Sequence, residues 1–228
     1  MIMKKILLKL LSTTTLVCVA ALSTTALASS GGGEPEACDA NTKPIVFVHG
    51  YLGGNFNWTD IWDYLEADGY APCSLYGFEY SSTWNSNVTS AQQLADFVED
   101  VRADHNNQEV TIVSHSNGGL VTRWYREFEG GYAANDRFVA LAAPHNGTTW
   151  GYVCWDQACT EMSPGSNFLS ALAGRGCDRS VWSDSDGIIL PAESAICGIS
   201  TQTTSASHLG LLWDLQAYQD IKGHMEDL

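Results

Sequence analysis

What most constrains the fold is a repeated alternation of short apolar runs with segments of helical periodicity. Pro44 to Val48 (PIVFV), Cys73 to Phe78, Val110 to Val113 and Phe138 to Ala143 are each short and mostly apolar. Runs of this kind fit strands buried on both faces of a parallel sheet. Between them, Trp58, Ile61, Trp62 and Leu65 recur at i, i+3, i+4 and i+7, with Asp68-Gly69 as a stop signal. Leu94, Phe97, Val98 and Val101 repeat the pattern, and the Ser-x-x-Gln spacing of Ser90 to Gln93 predicts a capping box in front of them. Leu120, Val121, Trp124 and Phe128 form a third stripe. Strands alternating with helices predict an α/β fold: an open, mostly parallel sheet of about six strands with helices on both faces.

The N-terminus reads as an export signal. Lys4, Lys5 and Lys9 precede an apolar stretch that ends at Ala26-Leu27-Ala28, a small-residue cleavage pattern, so residues 1–28 are expected to be removed. Polar residues at 12–15 and 23–25 break the apolar run well short of the roughly 20 residues of a membrane span, which argues against a stable membrane anchor. The remaining 200 residues suit one domain, with a flexible leader over 29–42 and the fold over 43–228. Without the three lysines of the signal segment, 8 basic residues face 26 acidic ones, a net charge of −18. Nucleic acid is therefore an improbable partner, and neutral substrates are favoured over anionic ones. Removal of Cys18 leaves six cysteines, an even number that suits an oxidising compartment. Proximity along the chain favours Cys38–Cys73, Cys154–Cys159 and Cys177–Cys197. No CxxC pair, HExxH helix, GxGxxG or GxxxxGK[ST] sequence is present, so neither a metal nor a nucleotide cofactor is expected.

In open parallel sheets, ligands bind beyond the carboxyl ends of the strands. Ser114-His115-Ser116-Asn117-Gly118 stands at such an end, between a strand and a helix. Its spacing matches a nucleophile elbow in which Ser114 replaces the usual first glycine. A serine hydroxyl needs a histidine to take its proton and an acid to orient that histidine, in the chain order Ser, acid, His. His208, just before the last amphipathic segment, is the best-placed base. His224 falls in a polar tail, and His145 suits a loop role near the site. Asp186, at the tight turn Asp186-Gly187 before Ile188 to Leu190, is the preferred acid; Asp184 and then Asp178 are the alternatives. An oxyanion would be met by the backbone N–H of Asn117 and by that of Tyr51, in the glycine-bearing loop after the first strand.

These blocks (PIVFVHGYLGGNFNW, VTIVSHSNGGLVTRWY, LAAPHNGT, MSPGSNFLSAL, SDSDGIILP and SHLGLL) resemble those of secreted bacterial class 2 triacylglycerol lipases of the α/β-hydrolase fold, in the same order over most of residues 43–213. The resemblance implies Ser116 as nucleophile, Asp186 as acid, His208 as base and Tyr51 and Asn117 as backbone oxyanion donors. Asn117 stands where relatives more often carry Met, which is expected to add a polar side chain beside the acyl site.

The expected activity is therefore serine ester hydrolysis on acylglycerols, at a lipid–water interface, by a secreted monomer. A carboxylesterase or cutinase-like polyester hydrolase shares the chemistry and differs in the shape of its pocket. A non-catalytic surface-binding protein on the same fold is the reading from a different class, and the complete triad argues against it. Trp58, Trp155 and His145 are expected to touch substrate, and residues 148–178 to form a specificity or lid-like insert. A neutral histidine base predicts loss of activity on the acid side of the histidine range.

Overall fold

The computed structural model describes residues 38–226. The expected signal segment and residues 29–37 of the expected leader lie outside the described residues. Six strands, β1 (Ile45–Val48), β2 (Leu75–Phe78), β3 (Val110–His115), β4 (Asn135–Leu141), β5 (Arg179–Trp182) and β6 (Ile199–Gln202), form one sheet in the order β2-β1-β3-β4-β5-β6. Every pairing is parallel. The expected α/β-hydrolase architecture is thus present, with a fully parallel sheet among the described residues.

The alternation of side chains along a strand divides the core into two layers. Ile45 and Phe47 of β1, with Val113, Val139, Leu141 and Val181, pack against α1 (Thr59–Ala67) and α6 (Leu215–Glu226). Val46 and Val48, with Val110, Ile112, Phe138 and Ala140, pack against α2 (Asn87–Asp104) and α3 (Asn117–Phe128). Burying each such aliphatic or aromatic side chain contributes about 1.5–3 kcal/mol. Because both faces are covered, the strands read as continuous apolar runs. The chain leaves β1 towards β2 and returns on the other side as β3, so the sheet order reverses between β1 and β3. The loops that follow these two central strands therefore emerge side by side, where a crevice forms.

Helix α2 begins earlier than the sequence predicts. Its N-cap is Ser86, whose Oγ accepts the Thr89 N–H at 3.0 Å, and Ser90 is buried inside the helix. The expected capping box at Ser90 is thus not formed; Ser86 caps without the Glu or Gln three residues on that completes the box signature.

The segment 148–178 holds α4 (Gln157–Glu161) and α5 (Asn167–Ala171). Met162, Phe168, Leu169 and Leu172 close a third small core against Leu120 of α3. Trp124 stacks on Phe168 with ring centroids 4.9 Å apart. The three expected cysteine pairs are bridged, with Cα–Cα separations of 5.5 Å for Cys38–Cys73, 6.0 Å for Cys154–Cys159 and 5.4 Å for Cys177–Cys197.

Candidate active site

Ser116 stands alone between the end of β3 and the start of α3, with φ 56° and ψ −130°. Positive φ is unfavourable for a residue carrying a Cβ, by about 1–3 kcal/mol, and must be enforced by what surrounds it. The enforcement is local. Ser116 N–H donates to Leu141 O at 2.9 Å, and Gly119 N–H donates to Ser116 O at 3.0 Å. A Cβ at Gly118 would lie 2.4 Å from Val48 O and 2.5 Å from His49 O, and one at Gly50 would lie 2.7 Å from Ser116 Cβ. Both glycines thus permit α3 and the loop after β1 to close on the serine. Ser114, in place of a first glycine, is fully buried, and a Cβ at Gly119 would come within 3.4 Å of its Oγ. The tight contact there is with the Ala143 Cβ, 2.4 Å away, so glycine at 119 lets α3 close on the segment after β4.

On the far side, Asp186 lies in the turn after β5. Its Oδ1 accepts the N–H groups of Ile188 at 2.9 Å and Ile189 at 2.6 Å, and its Oδ2 faces His208 Nδ1 at 2.8 Å. The His208 N–H donates to Asp186 O at 2.8 Å, so ring and backbone are fixed by one residue. With Nδ1–H given to a carboxylate, Nε2 keeps its lone pair. Asp184 instead accepts from Ser185 and Ser205, and Asp178 accepts the Phe138 N–H and faces Arg126. Of the three candidate acids, the structure brings Asp186 to His208.

His115 was not singled out from the sequence, although it adjoins the serine. Its Nε2–H donates to His208 O at 3.1 Å and the two rings lie 4.6 Å apart. Burial, reinforced by His208, holds its pKa well below the ordinary histidine value, so it stays neutral.

The loop after β1 is braced from beneath. The Tyr80 hydroxyl donates to His49 O at 2.8 Å and the two rings stack at 4.4 Å. Burial lowers the His49 pKa, against smaller raising effects of Gly50 O and Glu79. Leu52 N–H donates to Ser82 Oγ at 2.9 Å. The Tyr51 hydroxyl donates to Asp156; burial first, and that carboxylate second, push its pKa up to about 12. Among the described residues, no hydrogen-bond acceptor engages the backbone N–H of Tyr51 or of Asn117. The Asn117 side chain does not border the acyl site as expected. It is fully buried and donates from Nδ2 to Asn87 Oδ1 at 2.7 Å.

Ser116, His208 and Tyr51 share a cleft of about 590 Å³. Leu52, Phe56, Trp150, Met162, Ile189 and Leu209 contribute apolar wall, and both sulfurs of Cys154–Cys159 belong to lining residues. Among the described residues, no Asp, Glu, Lys or Arg lines it. The three expected substrate contacts fall elsewhere. Trp58 is fully buried in the core, 5.1 Å from the Phe47 ring, because its helical spacing marks packing. Trp155 is 97% exposed and outside the cleft lining. His145 opens on a second cavity of about 420 Å³ with Arg123, Cys177 and Cys197, and burial together with the Arg123 cation keeps it neutral. His145, Cys177 and Cys197 bring potential ligand atoms within 4.8 Å of one another, but the two sulfurs are joined in a bridge and offer no thiolate to a metal.

A family model described as lipase (class 2) matches residues 42–226. The mature form of a Bacillus licheniformis lipase superposes with a TM-score of 0.67 at 16% identity, over 85% of this chain and 95% of its own. Aspergillus fumigatus lipase B gives 0.68 at 17% identity, over 81% of this chain and 53% of its own. A Nitrososphaera gargenis carboxylesterase gives 0.58 at 13% identity, over 82% and 91%. At these identities the structural matches speak to a shared fold.

Proposed function

The chain belongs to the class 2 lipase family, and from that premise we propose that this ester hydrolase works through an acyl-Ser116 intermediate, with His208 as general base and Asp186 as its orienting acid. The observation that carries the reading is the 2.8 Å His208–Asp186 pair facing the same cleft as a serine held at positive φ.

In the first step Ser116 Oγ attacks the ester carbonyl carbon while His208 Nε2 takes the hydroxyl proton. The Asp186 carboxylate stabilises the imidazolium that results. The carbonyl oxygen becomes an oxyanion, met by the N–H groups of Tyr51 and Asn117, which are free to donate to it. Collapse breaks the ester C–O bond, and His208 returns its proton to the departing alcohol. Water then attacks the acyl carbon, giving its proton to His208; the second collapse releases the carboxylic acid and restores the serine.

A wall without Asp, Glu, Lys or Arg favours neutral esters, and its volume falls within the roughly 300–1,000 Å³ of ligand-sized clefts. Leu52 and Phe56, each 72% exposed at the rim, support acylglycerols in emulsion over small soluble esters. Three bridged cysteine pairs support export to an oxidising compartment; the expected cleavage near Ala28 is checked by N-terminal sequencing of the secreted protein. The test of substrate class is a chain-length series of p-nitrophenyl esters beside emulsified triglyceride and polyester film. A lipase is expected to gain on the emulsion; activity confined to short soluble esters would favour the carboxylesterase reading.

A further inference from the structure

We propose that Asn117 is a positioning residue whose side chain, clasped to Asn87, fixes the aim of its own backbone N–H at the oxyanion and ties that donor to the wall of the cleft. The proposal rests on the acyl-serine reading.

Asn117 and Asn87 are the first residues of α3 and α2, and both are fully buried. A buried amide is costly where a group is left unpaired, and Asn117 Oδ1 has no partner among the described residues, so the side chain is held through its Nδ2 donor. Asn117 Nδ2–H donates to Asn87 Oδ1 at 2.7 Å. Asn87 is itself held at both remaining groups: Nδ2–H donates to Ala158 O at 3.2 Å and the backbone N–H donates to Glu161 Oε2 at 2.7 Å. With acceptor, amide donor and backbone donor all engaged, Asn87 cannot swing without losing several bonds at once. The Asn117 amide also faces the Tyr80 hydroxyl, which donates to His49 O beneath the loop that carries the other oxyanion donor.

Two consequences follow from where the clasp is anchored. The Cβ of Asn117 is rigidly placed relative to its backbone nitrogen, so holding the side chain fixes where that nitrogen sits, while the Gly119 N–H bond to Ser116 O holds the peptide plane between Ser116 and Asn117. Ala158 and Glu161 belong to α4, whose neighbours Cys159 and Met162 line the cleft. The oxyanion donor and the acyl wall are thereby connected through one asparagine. Because the oxyanion exists only in the transition state, misaiming its donor lowers kcat and leaves ground-state binding little changed.

The test is a double-mutant cycle of Asn87→Ala and Asn117→Ala, followed by kcat and KM on a soluble short-chain ester and by thermal unfolding, with Asn117→Asp as a variant of nearly equal volume that replaces the donor by an acceptor. The expected result is a kcat about tenfold lower in each single variant, KM within about twofold of wild type, and less than about twofold further loss in the double variant. Binding of a phosphonate transition-state analogue should weaken in step with kcat. Folded variants with unchanged kcat, or losses that simply multiply, would overturn the clasp, as would a fall confined to Tm. Ser116→Ala is measured beside them. If it is inactive while Asn87→Ala is unimpaired, the clasp alone fails; if it keeps turnover, the acyl-serine reading fails and takes the clasp with it.

Discussion

At the scale of single residues, the site depends on a few atoms that have no room to move. Gly118 sits where a methyl group would lie 2.4 Å from a β1 carbonyl. Gly118→Ala should therefore cost about 2 kcal/mol or more, read as a lower urea midpoint, and should push Ser116 out of line. Asp186→Asn should leave the fold standing but disturb the proton arrangement on His208. A kcat about 10⁴-fold lower with little change in KM is expected, as measured on a soluble ester. Ser116, Asp186 and His208 could be proposed from the sequence because the chemistry dictates residue types, chain order and positions at strand ends. The structure places Trp58 and His145 away from the cleft, which the sequence could not foresee because an aromatic or a histidine carries no mark of direction. Trp58 shows the rule, since its helical spacing with Ile61 and Leu65 already pointed into the core.

Among the elements, the central strands position the chemistry and the segment 148–178 shapes the cleft. Its helices rest on Leu120 and Trp124 of α3, and the Cys154–Cys159 bridge stiffens the turn that forms one wall. Replacing both cysteines by serine should loosen this wall and broaden acyl-chain preference, while activity on the shortest ester stays within a few-fold; a p-nitrophenyl ester series measures it. The first four strands and the first three helices could be read from their apolar runs and periodicity; β5 and β6 could not, and in β6 none of Ile199 to Gln202 is buried. Nor could the start of α2. Ser86 caps it with Thr89 at the third position, and Asn87 is drawn inward by partners on α3 and α4 that lie 30 and more than 70 residues away in sequence. Such partners are invisible to any local pattern.

For the whole molecule, three buried histidines make stability depend on pH. His49, His115 and His145 all have pKa values lowered by burial, so the unfolded chain binds protons that the folded chain does not. Their contribution is complete above the unfolded value of 6.5 and is lost as pH falls from there through the depressed folded values. Unfolding midpoints in urea should therefore drop between pH 7.5 and pH 5. His145→Gln, remote from the cleft, should flatten that slope by up to about 1.4 kcal/mol per pH unit. The acidic surface adds a salt dependence: with a net charge of −18 once residues 1–28 are removed, Tm should rise as added NaCl screens self-repulsion.

The central claim, that Ser116 carries the acyl group, is tested most directly by intact-mass analysis after treatment with a fluorophosphonate, on wild type and on Ser116→Ala. The account predicts one phosphonyl adduct on Ser116 of the wild type, with esterase activity lost in proportion to labelling, and neither adduct nor turnover in Ser116→Ala. An adduct on another residue, or ester hydrolysis persisting in a folded Ser116→Ala, would contradict it.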